Sequence, residues 1–355
     1  MDRIGIIFGG RSQEHEISIL SAASVMDAVD RTRHEIIPVA IAKDGSWFRL
    51  RTDISGLNSL DDPRIEDLIP KDGIGTERAV RISIGEIAGL VDFAFPVLHG
   101  PYGEDGTIQG LFEMTGLPYA GCGVTSSAIS MDKIFSKELL LRAGLPVLKY
   151  DATYRWIFGQ DRDGELSRIE STLGYPVFIK PANMGSSVGV GRAEDREALA
   201  AAIDEALRYD DRVLIETEMK GRELEVAVLG ADKPVAAEAG EIVIAEEFYD
   251  YDTKYKSGTA DLQVPAKLTP VQRDEIRSLA VRAFKALGGN GFARVDFFLD
   301  EASGKLYINE MNTIPGFTGY SMFPLLWGAA GIEYTELIER IIELGYERYH
   351  LKNNG

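Results

Sequence analysis

The 355 residues exceed what one ordinary core takes up, so two or three domains are expected, and the 45% hydrophobic content is that of a globular chain. A net charge of −18 argues against non-specific nucleic-acid binding and against anionic membrane surfaces, although a few local lysines and arginines can still take an anionic ligand. One cysteine, Cys122, and four histidines speak against an intrachain disulfide, a multi-cysteine zinc site and a His-rich metal site.

The chain enters a strand at once, Ile4 to Phe8, with no long apolar segment and small-residue cleavage site before it, so no secretory leader is expected. No apolar run approaches the roughly 18–20 residues of a spanning helix, and a cytoplasmic protein is the default. Gly9-Gly10-Arg11-Ser12 turns into a helix from about Gln13 to Val29, without the third glycine of the dinucleotide fingerprint. Glu14 and Glu16 suit the positive end of that helix, and dipole complementation explains them as well as a ligand does; His15 reads as a local partner. Glu35 to Ala42 is a second strand, 52–79 a loop-rich insertion, and Val91 to Leu98 a buried strand that ends in HGPYGEDG, with a helix from Thr107. This alternation predicts an open, mostly parallel α/β unit over the first ~125 residues. Ligands bind such units beyond the carboxyl ends of the strands, where Gly10, Glu14, His99 and Glu104 fall.

A helix starts at Ser130–Lys133 and ends before Gly144, and 151–165 reads as a second polar insertion. Tyr175 to Lys180 is a strand, followed by the Gly/Ser loop PANMGSSVGV, whose backbone N–H groups could cover phosphates or simply form a hairpin turn. Lys180, in an apolar strand, needs an anionic partner. A helix over Ala193–Tyr209, a strand over Val213–Glu216, a connector Thr217–Arg222, and strands over Leu224–Leu229 and Glu241–Ala245 follow. Glu247 to Leu262 has neither helical nor strand period, as lids do not. Thr269–Leu287 is a helix, and Tyr334–Tyr346 a final one with frayed residues after it.

Between those two helices lies a hairpin. Phe292–Leu299 and Lys305–Asn312 are strands around the turn residues Asp300–Gly304. Alternation puts Arg294, Asp296 and Phe298 on one face and Ile308, Glu310 and Asn312 on one face of the partner strand. A turn centred near Ser303 sets Asp296 opposite Glu310 and Arg294 opposite Asn312. Facing carboxylates need a cation or a proton between them, and Asp, Glu and Asn oxygens suit a hard divalent ion; a surface hairpin with splayed charges is the competing reading.

Six segments together resemble the D-alanine–D-alanine ligases of the ATP-grasp superfamily, over essentially the whole chain: GGRSQEHEIS at 9–18, HGPYGEDGTIQG at 99–110, GLPYAGCGVTSSAISMDK at 116–133, FIKPANMGSSVGV at 178–190, EFYDYDTKY at 247–255, and ARVDFFLD with NEMNTIPGFTGYSMFP. The resemblance implies an N-terminal α/β substrate domain over 1–128 and a two-part fold of antiparallel sheets clamping ATP, over 129–219 and 220–355. It implies that Lys133 and Lys180 contact phosphates and the adenine edge, that the 184–190 loop with Ser186 covers the phosphates, that Glu216 and the Met219 backbone read adenine beside Phe298, and that Glu223 takes the ribose. Asp296, Glu310 and Asn312 would hold two Mg²⁺ (or Mn²⁺) ions. Arg294 and the Gly316 N–H would stabilise an oxyanion. Glu14 would take the first D-alanine's ammonium with His99 nearby, Ser321 and Lys254 the second D-alanine's carboxylate, and Tyr255 would reach Ser186 and Glu14 when the lid closes; Glu104 and Asp105 would be structural. The product would be D-alanyl-D-alanine for peptidoglycan precursors. Ligases using D-lactate or D-serine, or a non-catalytic nucleotide sensor, are the alternatives; the Lys254-Tyr255 pair points to D-alanine. A cytoplasmic homodimer without nucleic-acid or membrane partners is expected.

Overall fold

The structure, a computed structural model, describes residues 1–65, 67–71, 73–243 and 261–353. Apolar runs build the interior of the first sheet. β1 (Asp2–Gly9) buries Ile4, Ile6, Ile7 and Phe8 completely and lies between β2 (His34–Ile41) and β5 (Phe93–Val97), parallel to both. The short strands β3 (Trp47–Leu50) and β4 (Ala79–Ile82) extend the sheet antiparallel beyond β2. The segment from 52 to 78 that joins them carries no helix or strand among its described residues. Three helices belong to this unit: α1 (His15–Ala28), the one-turn α2 (Ile87–Leu90) and α3 (Thr107–Thr115). α1 begins at the carboxyl ends of β1 and β5, because Ser18 Oγ accepts from Gly9 N at 2.8 Å and donates to the Val97 carbonyl.

The single helix expected around 130–143 is two: α4 (Val124–Met131) and α5 (Lys133–Arg142). They break at Asp132, whose extended backbone and carboxylate, accepting from Ile134 N and Phe135 N at 3.1 Å, cap α5. The second sheet runs in the order β6-β9-β7-β8, all antiparallel: β6 (Tyr150–Tyr154), β9 (Arg212–Thr217), β7 (Val177–Pro181), β8 (Gly191–Ala193). α6 (Arg155–Gln160), α7 (Arg162–Leu173) and α8 (Arg196–Ala206) cover it around a core of its own. The stretch 151–165 is thus no insertion. It is an edge strand, a short helix and the start of α7, and it reads as polar because α7 buries only Leu166 and Ile169.

The third sheet has the order β12-β11-β10-β13-β14, again antiparallel: β10 (Arg222–Gly230), β11 (Val235–Val243), β12 (Asp261–Gln263), β13 (Gly291–Leu299) and β14 (Leu306–Asn312). α9 (Pro270–Ala286), opened by a Thr269/Gln272 capping box, packs on one face and α10 (Met322–Ala329) on the other. β11 starts six residues before the expected 241. Its first half, Val235-Ala236-Ala237-Glu238-Ala239-Gly240, is mostly small because helices lie on both faces: Ala236 and Ala239 pack on the α9 side and Ala237 on the α10 side, and a Cβ at Gly240 would come 2.9 Å from Leu326 Cδ2 and closer still to Met322 Sδ.

The final helix, α11 (Tyr334–Asn353), continues beyond the expected 346. It docks on the first sheet, burying Leu337, Ile338, Ile341 and Ile342, and past Tyr346 it stays tied, with Arg348 Nη2 donating to the Tyr119 carbonyl at 2.8 Å. Buried His34 of β2 meets Glu339 of α11 at 3.1 Å. One continuous core joins the first and third sheets. Phe317 sits at its centre, its ring 5.8 Å from Phe95, 5.4 Å from Phe292 and 5.4 Å from Phe323.

Candidate active site

A cleft of about 2150 Å³ lies between the second and third sheets, with the loops at the carboxyl ends of the first sheet at one end. All the site residues expected from sequence that the structure describes line it. Lys254 and Tyr255, and with them the lid as far as residue 260, lie outside the described residues.

The wall from the second sheet is cationic. Lys180 near the end of β7 and Lys137 on α5 both ion-pair with Glu216 of β9, Lys137 at 2.9 Å. Lys137 and Glu216 are each only 2% exposed. Burial would push the Glu216 carboxyl up, but the two ammoniums override it and hold it at about 2. Lys180 is likewise raised by Glu216 against its own burial. Lys133, one helical turn before Lys137, donates to the Met184 carbonyl at 2.6 Å; burial and Lys180 lower its pKa while Glu310 across the cleft opposes them. The loop after β7 is anchored by Asn183, whose N and Nδ2 donate to Asp210 at 2.8 and 3.1 Å. Ser186 and Ser187 then adopt left-handed φ of 52° and 58°, unusual for side-chain-bearing residues and a feature that concentrates at binding sites. Ser186 Oγ is buried with no hydrogen-bond partner among the described residues. Glu218, in the connector beside Met219, pairs with Arg192 of β8 at 2.5 Å and so ties the connector to the sheet edge.

The opposite wall is the hairpin. Asp296 pairs with Glu310 and Arg294 with Asn312, in the register read from sequence. The pairing then slips by one residue: Phe297 faces Ile308, leaving Asn309 as a bulge. Ile308 consequently enters the core, completely buried, instead of sharing the face of Glu310. Arg294 grips Asp296 with two bonds of 2.7 Å, from Nε and Nη2, and its Nε also lies 3.0 Å from Glu225 of β10. Burial disfavours the guanidinium charge, but Asp296 and Glu225 raise its pKa well above the ordinary value. Glu223 and Glu225 sit two apart on β10, opposite Phe298 and Asp296.

At the end of the cleft Glu14 stands at the N-cap position of α1 and is mostly buried. His99 Nδ1–H donates to the Ile314 carbonyl at 3.0 Å, which leaves Nε2 as acceptor toward Ser21 Oγ at 3.5 Å; burial lowers its pKa although Glu14 opposes this, so the ring is held neutral in one tautomer. Glu104 accepts from Gly100 N at 2.8 Å and Ile314 N at 3.2 Å, bridging a first-sheet loop to the loop after β14. That loop turns tightly, with Ser321 Oγ accepting from Thr318 N at 3.0 Å; a Cβ at Gly316 would lie 2.6 Å from the same oxygen.

Asp296, Glu310 and Asn312 offer the hard-oxygen set that Mg²⁺ or Mn²⁺ takes. No group of three His, Cys, Asp or Glu converges on a metal position among the described residues, and Asp296 also receives Asn312 Nδ2 at 2.8 Å. Turning that amide over would present its carbonyl oxygen instead, so the donors fit a divalent ion once Asp296 is released.

Two charged residues escaped the sequence reading. Lys137 had one available signal, a lysine four residues after Lys133 and so on the same face of the helix. Glu225 had another, its period-two spacing from Glu223 in a strand whose alternate residues Leu224, Val226 and Val228 are core.

Residues 3–122 match the family model described as D-ala D-ala ligase N-terminus, and 139–343 the one described as D-ala D-ala ligase C-terminus. Curated D-alanine–D-alanine ligases of Geobacillus thermodenitrificans and Heliobacterium modesticaldum are each 45% identical, covering 99% of this chain and 97% and 96% of theirs. Among solved structures, the VanG D-Ala:D-Ser ligase from Enterococcus faecalis is 34% identical at TM-score 0.85, over 97% of this chain and 99% of that one. The D-alanine-D-alanine ligase from Coxiella burnetii is 31% identical at TM-score 0.78, over 99% and 96%. Two antiparallel sheets facing each other across a cleft, with ammoniums on one wall and carboxylates around an arginine on the other, make this an ATP-grasp enzyme. The chain belongs to the D-alanine–D-alanine ligase family.

Proposed function

We propose that the protein joins two D-alanines into D-alanyl-D-alanine, consuming ATP and releasing ADP and phosphate through a D-alanyl phosphate, as a step toward peptidoglycan precursors in the cytoplasm. The observation that carries this reading is the opposition across one cleft of Lys133 and Lys180 to Arg294 and Glu310, with Glu14 and the Gly316–Ser321 turn at its end.

Glu14 binds the ammonium of the first D-alanine, and neutral His99 fixes the Ile314 carbonyl and the loop beyond it. The D-alanine carboxylate attacks the γ-phosphorus while Lys133, Lys180 and Arg294 offset the spreading negative charge. Asp296, Glu310 and Asn312 would hold the divalent ions, two Mg²⁺ or Mn²⁺, which when bound neutralise phosphate oxygens. The Ser186 loop covers the phosphates, Glu216 with Met219 and Phe298 frames adenine, and Glu223 takes the ribose. The amine of the second D-alanine, its carboxylate held by Ser321 and Lys254, loses a proton and attacks the acyl carbon. Arg294 and the Gly316 N–H stabilise the tetrahedral oxyanion, and phosphate leaves. Acyl phosphates hydrolyse, which gives a lid carrying Tyr255 toward Ser186 and Glu14 its purpose. The division at 128 and 219 and a homodimer complete the proposal; light scattering should return twice the mass of the chain.

The test is purified protein with ATP, Mg²⁺ and D-alanine alone, or D-alanine mixed with D-serine or D-lactate. Phosphate release and a product of two D-alanines are expected, with D-alanine preferred as nucleophile. No nucleotide turnover with D-alanine would refute the ligase reading, and a mixed product in excess would move the enzyme to the D-serine or D-lactate class.

A further inference from the structure

Asp296 has two demands on it that it cannot meet together. It is clamped by Arg294 through both carboxylate oxygens and by Asn312 through one of them, so its lone pairs point at donors. A divalent ion needs those same lone pairs. The buried Arg294 guanidinium, only 15% exposed, cannot simply be let go: stripped of its carboxylate it would be an unpaired charge in a dry site, free to follow Asp296 or to turn away from the reacting centre.

The sheet supplies a second carboxylate for it. Glu225 on β10 stands directly across from Asp296 on β13, which stands across from Glu310 on β14, so three carboxylates form one row over three adjacent strands. Arg294 is one pleat away, opposite Ala227 on one side and Asn312 on the other. Glu225 Oε2 already lies 3.0 Å from Arg294 Nε, and its side chain is 6% exposed. With Glu225 already in reach of Nε, the guanidinium can keep Glu225 while losing Asp296.

We infer that Glu225 is a positioning residue: it retains Arg294 when Asp296 turns to a divalent cation, so that loading the metal does not displace the arginine. The row divides its labour. Glu310 belongs to the ion, Glu225 belongs to the arginine, and Asp296 exchanges one for the other. Glu225 itself touches neither ion nor substrate. This inference rests on the proposed function, in which Asp296 is a cation ligand.

The experiment uses the full-length protein, Mn²⁺ as the probe and ADP as the nucleotide, with Mn²⁺ binding followed by electron paramagnetic resonance. Glu225→Gln keeps the shape of the side chain and removes its charge, so Arg294 should hold Asp296 harder. Partners that orient metal ligands typically matter by 10–100-fold in metal affinity, so Mn²⁺ should bind about tenfold more weakly to Glu225→Gln. The KM for ATP at saturating metal should stay unchanged while kcat falls. Glu225→Asp keeps the charge but sits one methylene further from Nε; its Mn²⁺ affinity should fall between the other two. A residue that merely packs would lower the melting temperature and leave the affinity of folded protein for Mn²⁺ as it was. If Glu225→Gln does not fold, Glu225→Asp alone decides, and wild-type affinity in it overturns the inference. Unchanged Mn²⁺ binding in folded Glu225→Gln overturns it equally. Should wild-type protein bind no Mn²⁺ with ADP and make no dipeptide, the functional reading has failed and the inference with it; if the wild type does both, only the role of Glu225 is at stake.

Discussion

Glu216 shows how a buried charge is made tolerable. Two lysines from different elements share it, and each alone would be a poor exchange for the water both lost. Lys137→Met should therefore destabilise the fold by about 2 kcal/mol, less than the roughly 3–5 kcal/mol of a buried pair broken outright, because Lys180 still neutralises Glu216. Chemical denaturation reads this directly, and a stability equal to wild type would remove Lys137 from the account. On the facing wall, Glu310→Gln should abolish phosphoryl transfer without unfolding the protein, since a neutral amide is a much poorer ligand for a hard cation; near-normal turnover at ordinary Mg²⁺ would sink that assignment. Glu104 makes a pH prediction. Burial first and Glu14 next push its carboxyl from 4.5 up to about 8. An acid whose folded pKa is the higher one binds its proton more tightly when folded, so its stabilisation is complete below 4.5 and is lost as pH rises through about 8. Glu104→Gln, neutral throughout, should flatten the fall of melting temperature over that range in ligand-free protein; parallel curves for variant and wild type would contradict it.

At the scale of elements, the hairpin was legible because the turn at Asp300–Gly304 and strict alternation specify register together, and the pairs Asp296–Glu310 and Arg294–Asn312 follow. The bulge at Asn309 was not. An extra residue leaves no mark in one strand's composition and exists only in its pairing with the other, so alternation alone assigns Ile308 to the wrong face. β11 was half hidden for the opposite reason: small residues carry little strand signal, and what they record is the helices lying on them. Gly240→Val tests that account. Its side chain would drive into Met322 and Leu326, and overpacking of this kind costs roughly 1–3 kcal/mol. Calorimetry should show the loss, and an undiminished melting temperature would mean that α10 does not set residue size on its face of β11.

Across the whole molecule, the first and last segments of the chain fold together. α11 supplies Leu337, Ile338, Ile341 and Ile342 to the core of the first sheet, and Gly345 sits where any Cβ would strike Phe93 at 2.6 Å. No local pattern in α11 says which sheet its apolar face will meet, which is why that contact was invisible in sequence. A fragment of residues 1–128 should accordingly be poorly protected in hydrogen exchange, and adding a 334–353 peptide in trans should slow exchange in β1 and β5. Equal exchange with and without the peptide would show that the first sheet does not need it.

The bridge made by Glu104 between Gly100 and Ile314 lies on this same joint. It crosses where the first and third sheets already share one core, whereas the second sheet has a separate main core and meets the rest through α5. Mechanically the enzyme is then an anvil and a lever. The first and third sheets form one block, and the second sheet is attached to it through α5, whose Ile134 packs on Ala182 and Leu214 while its Leu140 enters the third sheet's core. Were the second sheet to swing about α5, Lys180 and Ser186 would travel together while Glu14, Arg294 and Ser321, all on the shared block, kept their spacing.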